Sequence, residues 1–245
     1  MTPLTPTLEQ PFNGEVADAE EAKALGAEYV RAAGKVIASH VRNELAGAAV
    51  FDEPAIALAP GPKDKWLACR IAMEEYGHHL KFTKLAIELG LDDPTAGPIL
   101  SVFDYELRSW PEFAVLKAIV DLAEVVLMEE LSSCTYLPLR NLATTLLPEE
   151  RFHVSFGKRR SLELVADPAA APLVAEAVER LVPFTLPFFG RSVSANNELF
   201  RRWGIKTHTN DDSRAAFIRR SQRFVVDELG LPFPEVGVRW DGGPA

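Results

Sequence analysis

At 245 residues, with 47% hydrophobic and 25% charged side chains, the chain has the make-up of a globular protein with ample length for a buried core. A net charge of −9 argues against a general nucleic-acid or anionic-membrane surface, and Lys, Asp or Pro breaks every apolar run well short of a bilayer span. The N-terminus lacks a basic region followed by an apolar segment, and two cysteines, Cys69 and Cys134, make no disulfide framework; the expected compartment is reducing and cytoplasmic.

Residues 1–14 hold three prolines and no periodicity, and read as an extended arm. From about Glu20 to Ala49 the pattern is helical, with Ile37, Val41, Glu44 and Ala48 on one stripe. Phe51 to Asp64, with Pro54, Pro60, Gly61 and Pro62, reads as a connection. A second helix is expected from about Lys65 to Gly90, the glycine serving as its stop. Its stripe runs Leu67, Ile71, Glu75, His78, Phe82, Leu85, so a carboxylate and an imidazole interrupt an apolar face. Buried carboxylates are costly unless paired or metal-bound, which makes the interruption a functional signal.

A polar loop over 91–110 leads to a third helix, from about Pro111 to Tyr136, ended or kinked by Pro138. Asp121 lies in its apolar stretch Ala118-Ile119-Val120-Asp121-Leu122-Ala123, with Glu124 beside it. The fourth helix begins no later than Pro148, or earlier with a kink there, and runs to about Val165. It carries Glu150, His153 and Gly157 on one stripe, the glycine permitting close approach of a neighbour. Residues 168–203 read as helix interrupted at Pro183 and Pro187. A last helix follows the cap cluster Asn210-Asp211-Asp212-Ser213 and continues to Gly230, before an extended tail. No alternating strand pattern occurs, so the class is all-α. The expected organisation is one domain over 1–245, with a bundle over 20–166 and C-terminal helices and tail over 167–245.

Glu75-x-x-His78 returns once, as Glu150-x-x-His153. Residues three apart share a helix face, so each pair aims a carboxylate and an imidazole at one point. Glu44 lies 31 residues before Glu75, and Asp121 lies 29 before Glu150, so each half reads carboxylate helix, connection, Glu-x-x-His helix. This is the arrangement of a di-iron carboxylate centre in a ferritin-like four-helix bundle. Imidazole and carboxylate donors suit iron and leave positions open for dioxygen. The expected set is Glu44 and His78 on one iron, Asp121 and His153 on the other, with Glu75 and Glu150 as bridges. Glu124 is a rival for the Asp121 role. Glu74 and Glu149 are either hydrogen-bond partners of the imidazole N–H groups or surface carboxylates. His79 reads as a packed or exposed histidine. Hard carboxylate sites also admit manganese in one position.

Beyond the ligands, the sequence resembles the catalytic subunit of the bacterial ring 1,2-phenylacetyl-CoA epoxidases. The stretches that carry the resemblance are Asn43-Glu44-Leu45-Ala46-Gly47, Glu75-Tyr76-Gly77-His78, Val120-Asp121-Leu122-Ala123, Cys134-Thr135-Tyr136-Leu137-Pro138 and Glu149-Glu150-Arg151-Phe152-His153. It continues through Arg202-Trp203-Gly204-Ile205-Lys206, Thr209-Asn210-Asp211, Leu229-Gly230-Leu231-Pro232 and Arg239-Trp240, covering about residues 40 to 240. The 29-residue interval from Asp121 to Glu150 matches the family and favours Asp121 over Glu124.

The resemblance implies a non-haem di-iron monooxygenase that uses O2 to epoxidise the aromatic ring of a CoA thioester in phenylacetate degradation. It implies electrons from NADPH through a separate flavin and iron–sulfur reductase, and a related, non-catalytic helical partner subunit in a homo- or hetero-oligomer. Departures are a shorter C-terminus, one extra residue in the first connection, and Ile71 where a lysine is expected near the site. A benzoyl-CoA-type epoxidase, a paralogous acyl-CoA oxygenase and a non-catalytic ferritin-like scaffold are the rival readings. Lys158, Arg159, Arg160, Arg201, Arg202 and Lys206 are the candidate cations for the CoA phosphates.

Overall fold

A computed structural model describes residues 5–242. The helices are α1 (Ala19–Leu25), α2 (Ala27–Gly47), α3 (Glu53–Leu58), α4 (Pro62–Leu89), α5 (Trp110–Leu131), α6 (Leu137–Val165), α7 (Ala171–Thr185), α8 (Ala195–Arg202) and α9 (Asn210–Gln222). Among the described residues there is no strand, only an isolated bridge between Val16 and Tyr136. The fold is an all-α, ferritin-like bundle in which α2 packs on α4, α5 on α6, and α4 meets α6 across the middle.

The apolar stripes account for these packings. Ile37 and Val41 on α2, and Leu67, Ile71, Phe82 and Leu85 on α4, are buried, and Glu44, Glu75 and His78 are buried with them. Helix α5 has no polar face, so it must be covered all round. It is sandwiched by α6 on one side and by α7 and α9 on others. The C-terminal helices thus bury the side of α5 that a bare four-helix bundle would expose. Gly157 sets the α5–α6 distance. A Cβ there would stand 2.3 Å from the Ala118 nitrogen and 2.6 Å from the Lys117 carbonyl carbon.

Several expected boundaries change. Gly26, at φ +109°, separates α1 from α2 within the first helical stretch. The expected connection over 51–64 is largely helical. A π-helical turn, Ala48–Asp52, continues α2 and runs into α3, where Pro54 lies in the first turn and therefore costs no backbone bond. Helix α5 stops at Leu131, short of Tyr136, where Ser132 and Ser133 turn their hydroxyls back onto the carbonyls of Glu129 and Glu130. Pro138 accordingly starts α6 rather than ending α5, and α6 runs through Pro148. The last helix begins at Asn210, within its expected cap cluster rather than after it, with Thr209 as N-cap in a capping box with Asp212. Its α-helical part ends at Gln222 and a π-helical segment, Arg223–Glu228, completes it.

The described parts of the N-terminal arm and of the tail are tied to the bundle. Residues 1–4 of the arm and 243–245 of the tail lie outside the described residues. Phe12 packs with Tyr29 and Trp203, and its amide donates to the Arg202 carbonyl at 2.8 Å. The tail is held by the fully buried Arg214 of α9, which donates to the carbonyl of Val238 as well as to those of Leu186 and Gly190.

Candidate metal centre

Four helices each deliver part of one buried cluster. Glu44 comes from α2, Glu75 and His78 from α4, Asp121 from α5, and Glu150 and His153 from α6; none is more than 7% exposed. Their donor atoms form two groups, Glu44–Glu75–His78–Glu150 and Glu75–Asp121–Glu150–His153. Glu75 and Glu150 belong to both.

Each imidazole turns Nδ1 inward. His78 Nδ1 lies 2.9 Å from Glu150, 3.4 Å from Glu75 and 3.7 Å from Glu44. His153 Nδ1 lies 3.2 Å from Glu75, 3.6 Å from Asp121 and 3.7 Å from Glu150. Ligands about 2.0–2.2 Å from a first-row cation stand about 2.8–3.6 Å apart, so these spacings suit a shared cation on each side. His78 Nδ1, His153 Nδ1, Asp121 Oδ2 and Glu150 Oε1 are buried without a well-angled hydrogen-bond partner. Such orphaned donors in one pocket fit a metal ion.

The outer nitrogens are held by crossed bonds. His78 Nε2 pairs with Glu149 of α6 at 2.8 Å, and His153 Nε2 with Glu74 of α4 at 2.9 Å. Each carboxylate that precedes a Glu-x-x-His motif therefore supports the histidine of the opposite motif. An Nε2–H bond to carboxylate leaves the Nδ1 lone pair free to coordinate. Arg70 anchors Glu74 at 2.8 Å and lies over the Phe152 ring. His79 faces away, its Nδ1 2.8 Å from the Val41 carbonyl oxygen.

Glu124 lies outside both groups. It sits one turn along α5 from Asp121, 3.1 Å from His40 Nδ1. A lysine does stand at the cluster, but from α5 rather than at position 71, where Ile71 is fully buried. Lys117 Nζ lies 2.8 Å from Asp52, 3.0 Å from Glu75 and 3.0 Å from Asp121. The motifs in the sequence do not single out Lys117, Asp52 or His40. Lys117 precedes Asp121 by one turn in a wholly apolar run, which is the signal that could have found it.

The electrostatics follow from this crowding. Burial raises Glu44 to about 7 and Asp52 to about 6, the latter against the pull of Lys117. Burial also lifts Asp121 well above the carboxylate range despite Lys117. Burial would raise Glu75 too, but Lys117 and His153 overcome it and hold the group well below its usual value. Both histidines resist burial and are raised by the surrounding carboxylates. So many buried carboxylates require protons, Lys117 or a bound cation to balance them.

An inner pocket of about 50 Å³ reaches Glu44, Glu75, Lys117, Asp121 and Glu150. An outer cavity of about 550 Å³ meets it at Asn43, Glu124 and Phe188, which line both. Lys35, Arg42 and Lys206 line the outer cavity. Of the six cations read from the sequence, only Lys206 lines it. Lys158, Arg160 and Arg202 are paired with Glu228, Glu163 and Glu28 respectively, and Arg159 is exposed and Arg201 half-buried elsewhere.

Comparison with known proteins accords with this geometry. The profile of the family described as "Phenylacetic acid catabolic protein" matches residues 12–244. The chain belongs to that family. It is 26% identical over 216 residues to one of the subunits of 1,2-phenylacetyl-CoA epoxidase from Escherichia coli (strain K12), covering 84% of this chain and 69% of the relative. Membership of the phenylacetic acid catabolic family supports a role in phenylacetate catabolism, and the relative's designation as one subunit of an epoxidase implies an assembly of more than one kind of chain. No helix among the described residues is long and apolar enough to cross a membrane.

Proposed function

We propose that this chain is the oxygen-activating subunit of an aryl-acyl-CoA epoxidase, acting on phenylacetyl-CoA with O2. The observation that carries the reading is the sharing of Glu75 and Glu150 between two histidine–carboxylate groups. Glu44 and His78 would hold one iron, Asp121 and His153 the other, with Glu75 and Glu150 between them. When bound, such a pair of irons supplies the redox chemistry that splits dioxygen, with electrons from NADPH through a separate flavin and iron–sulfur reductase.

The chain's own residues do the rest. Glu149 and Glu74 fix the imidazole orientations from outside. Lys117 holds Glu75 and Asp121 in place through one ammonium and is itself anchored by Asp52. Phe51, Phe103 and Phe188 give the inner pocket apolar walls that keep bulk water from the reacting centre. The outer cavity lies in the usual size range for ligand pockets, about 300–1,000 Å³, and Lys35, Arg42 and Lys206 line it as cations for CoA phosphates. The phosphates would compete with the contacts these side chains make to Asn196, to loop carbonyls and to Glu130.

One buried cluster running from Val16 to Leu229 supports reading the chain as a single domain. Free Cys69 and Cys134 suit a reducing, cytoplasmic setting. Trp66, Met73, Leu80 and Ile87 project from the outer face of α4 at seven-residue spacing, all more than 60% exposed. That stripe suits a helix of the related, non-catalytic subunit.

The test is anaerobic Fe(II) loading followed by turnover with reductase and either phenylacetyl-CoA or benzoyl-CoA. About two tightly held irons per chain, lost in Glu75→Ala and His153→Ala, and one oxygen atom added to phenylacetyl-CoA are expected. Wild-type chain that takes up no iron, even with its partner subunit, would overturn the proposal; oxygen added to benzoyl-CoA alone would overturn the substrate.

A further inference from the structure

A third set of donors lies beside the two groups already described. His40 and Glu44, one turn apart on α2, face Glu124 on α5, and their donor atoms form a compact trio. His40 Nδ1 is 3.1 Å from Glu124 Oε1 and 3.6 Å from Glu44 Oε1. Glu44 turns its other oxygen, Oε2, toward His78 at 3.7 Å. The one carboxylate therefore faces two clusters with two different oxygens, as a bridging carboxylate does.

Packing holds the histidine in this pose. The His40 ring stacks on Phe82 at 4.6 Å between centroids, and only 6% of the residue is exposed. Its Nδ1 is buried and makes no well-angled hydrogen bond, and the same is true of Glu124 Oε1. A buried imidazole nitrogen within ion-pair reach of two carboxylates, yet angled to hydrogen-bond neither, is a group that a shared cation would satisfy. The spacings match those of a first-row divalent cation about 2.0–2.2 Å from each atom.

We infer that His40, Glu44 and Glu124 form a third divalent-cation site, linked through Glu44 to the dinuclear centre. The inference rests on the dinuclear reading, because Glu44 serves both. The site is weaker than its neighbours: it has three protein donors, and one of them is shared. It lies where the outer cavity meets the inner pocket, since His40 lines the first, Glu44 the second and Glu124 both. Its remaining coordination positions are thus open to water or to an oxygen donor entering from the cavity. Carboxylates with one imidazole accept first-row divalent ions, Fe(II) and Mn(II) among them.

Equilibrium dialysis of the metal-free full chain against Mn(II), with metal counted per chain, provides the test. About three equivalents are expected in wild type, the third the weakest, and about two in His40→Gln and in Glu124→Gln. Two equivalents in every form would overturn the third site and leave the dinuclear reading standing. None in any form would overturn both. Three in both variants would show that the third ion binds elsewhere, and loss of all metal from a folded variant would place its residue in the dinuclear centre; either result ends the inference. Crystals of the wild-type chain soaked in Mn(II) decide the matter without reliance on variants that fold. An anomalous peak bounded by His40 Nδ1, Glu44 Oε1 and Glu124 Oε1 is expected, and its absence at saturating Mn(II) would refute the site.

Discussion

Replacing Lys117 by methionine removes a buried ammonium and leaves three buried carboxylates facing the gap. Lys117 is 2% exposed and lies within 3.0 Å of Asp52, Glu75 and Asp121. Methionine keeps most of the volume, so the cost is electrostatic rather than a cavity. Deleting one partner of a buried ion pair costs about 3–5 kcal/mol, because the other charge is left unpaired. For a chain of this size each kcal/mol moves the melting temperature by about 2–4 °C, so the metal-free variant should melt about 6–20 °C below wild type. Bound cations neutralise the same carboxylates. The Mn(II)-loaded variant should therefore lose no more than about half as much. Thermal unfolding of both proteins, with and without Mn(II), at pH 8 and pH 5.5 is the assay. The deficit should shrink at pH 5.5, since Asp52, already raised to about 6 by burial, rises further once Lys117 is gone and takes up a proton. Equal deficits with and without metal would refute a charge-balancing role for Lys117.

Metal-free protein should lose stability as pH rises from about 6.5 to 9, because the folded state keeps protons the unfolded chain releases. Burial alone would lower His40, but Glu124 and Glu44 raise it to about 9; its contribution is complete below about 6.5 and is lost as pH passes through 9. His78 and His153, also raised, act in the same direction, and chemical denaturation across this range that showed rising stability would contradict the scheme. Gly157→Ala should cost about 1–3 kcal/mol or more in urea unfolding and lower Mn(II) uptake, because the added methyl meets α5 backbone; unchanged values would mean the helices can part freely. Glu74→Gln and Glu149→Gln should each weaken Mn(II) binding about 10- to 100-fold in dialysis, and unaltered binding would make their histidine contacts incidental. Met73→Glu with Leu80→Glu should abolish co-purification with a partner subunit while shifting stability by no more than about 0.5 kcal/mol per site; retained association would move the interface off α4.

The amino-acid sequence by itself determined the helices of the bundle and the side chains that meet at its centre. A period of 3.6 residues puts Glu75 with His78, and Glu150 with His153, on buried stripes whatever else the chain does. Gly157 likewise announced a close helix contact, because only a missing Cβ allows one. Local periodicity could not say which carboxylate supports which histidine. The crossed pairs His78–Glu149 and His153–Glu74 join residues 71 and 79 apart, and arise only when α4 and α6 lie side by side. Asp52 was hidden in what read as a proline-rich connection, and a π-helical turn is what directs it to Lys117. His40 and Glu124 fall on stripes of their own helices with no spacing that links them; only the placement of α2 and α5 around the buried cluster brings them to 3.1 Å. Contacts within a helix are written in residue spacing, whereas contacts between helices depend on crossing geometry, which the tertiary packing alone decides.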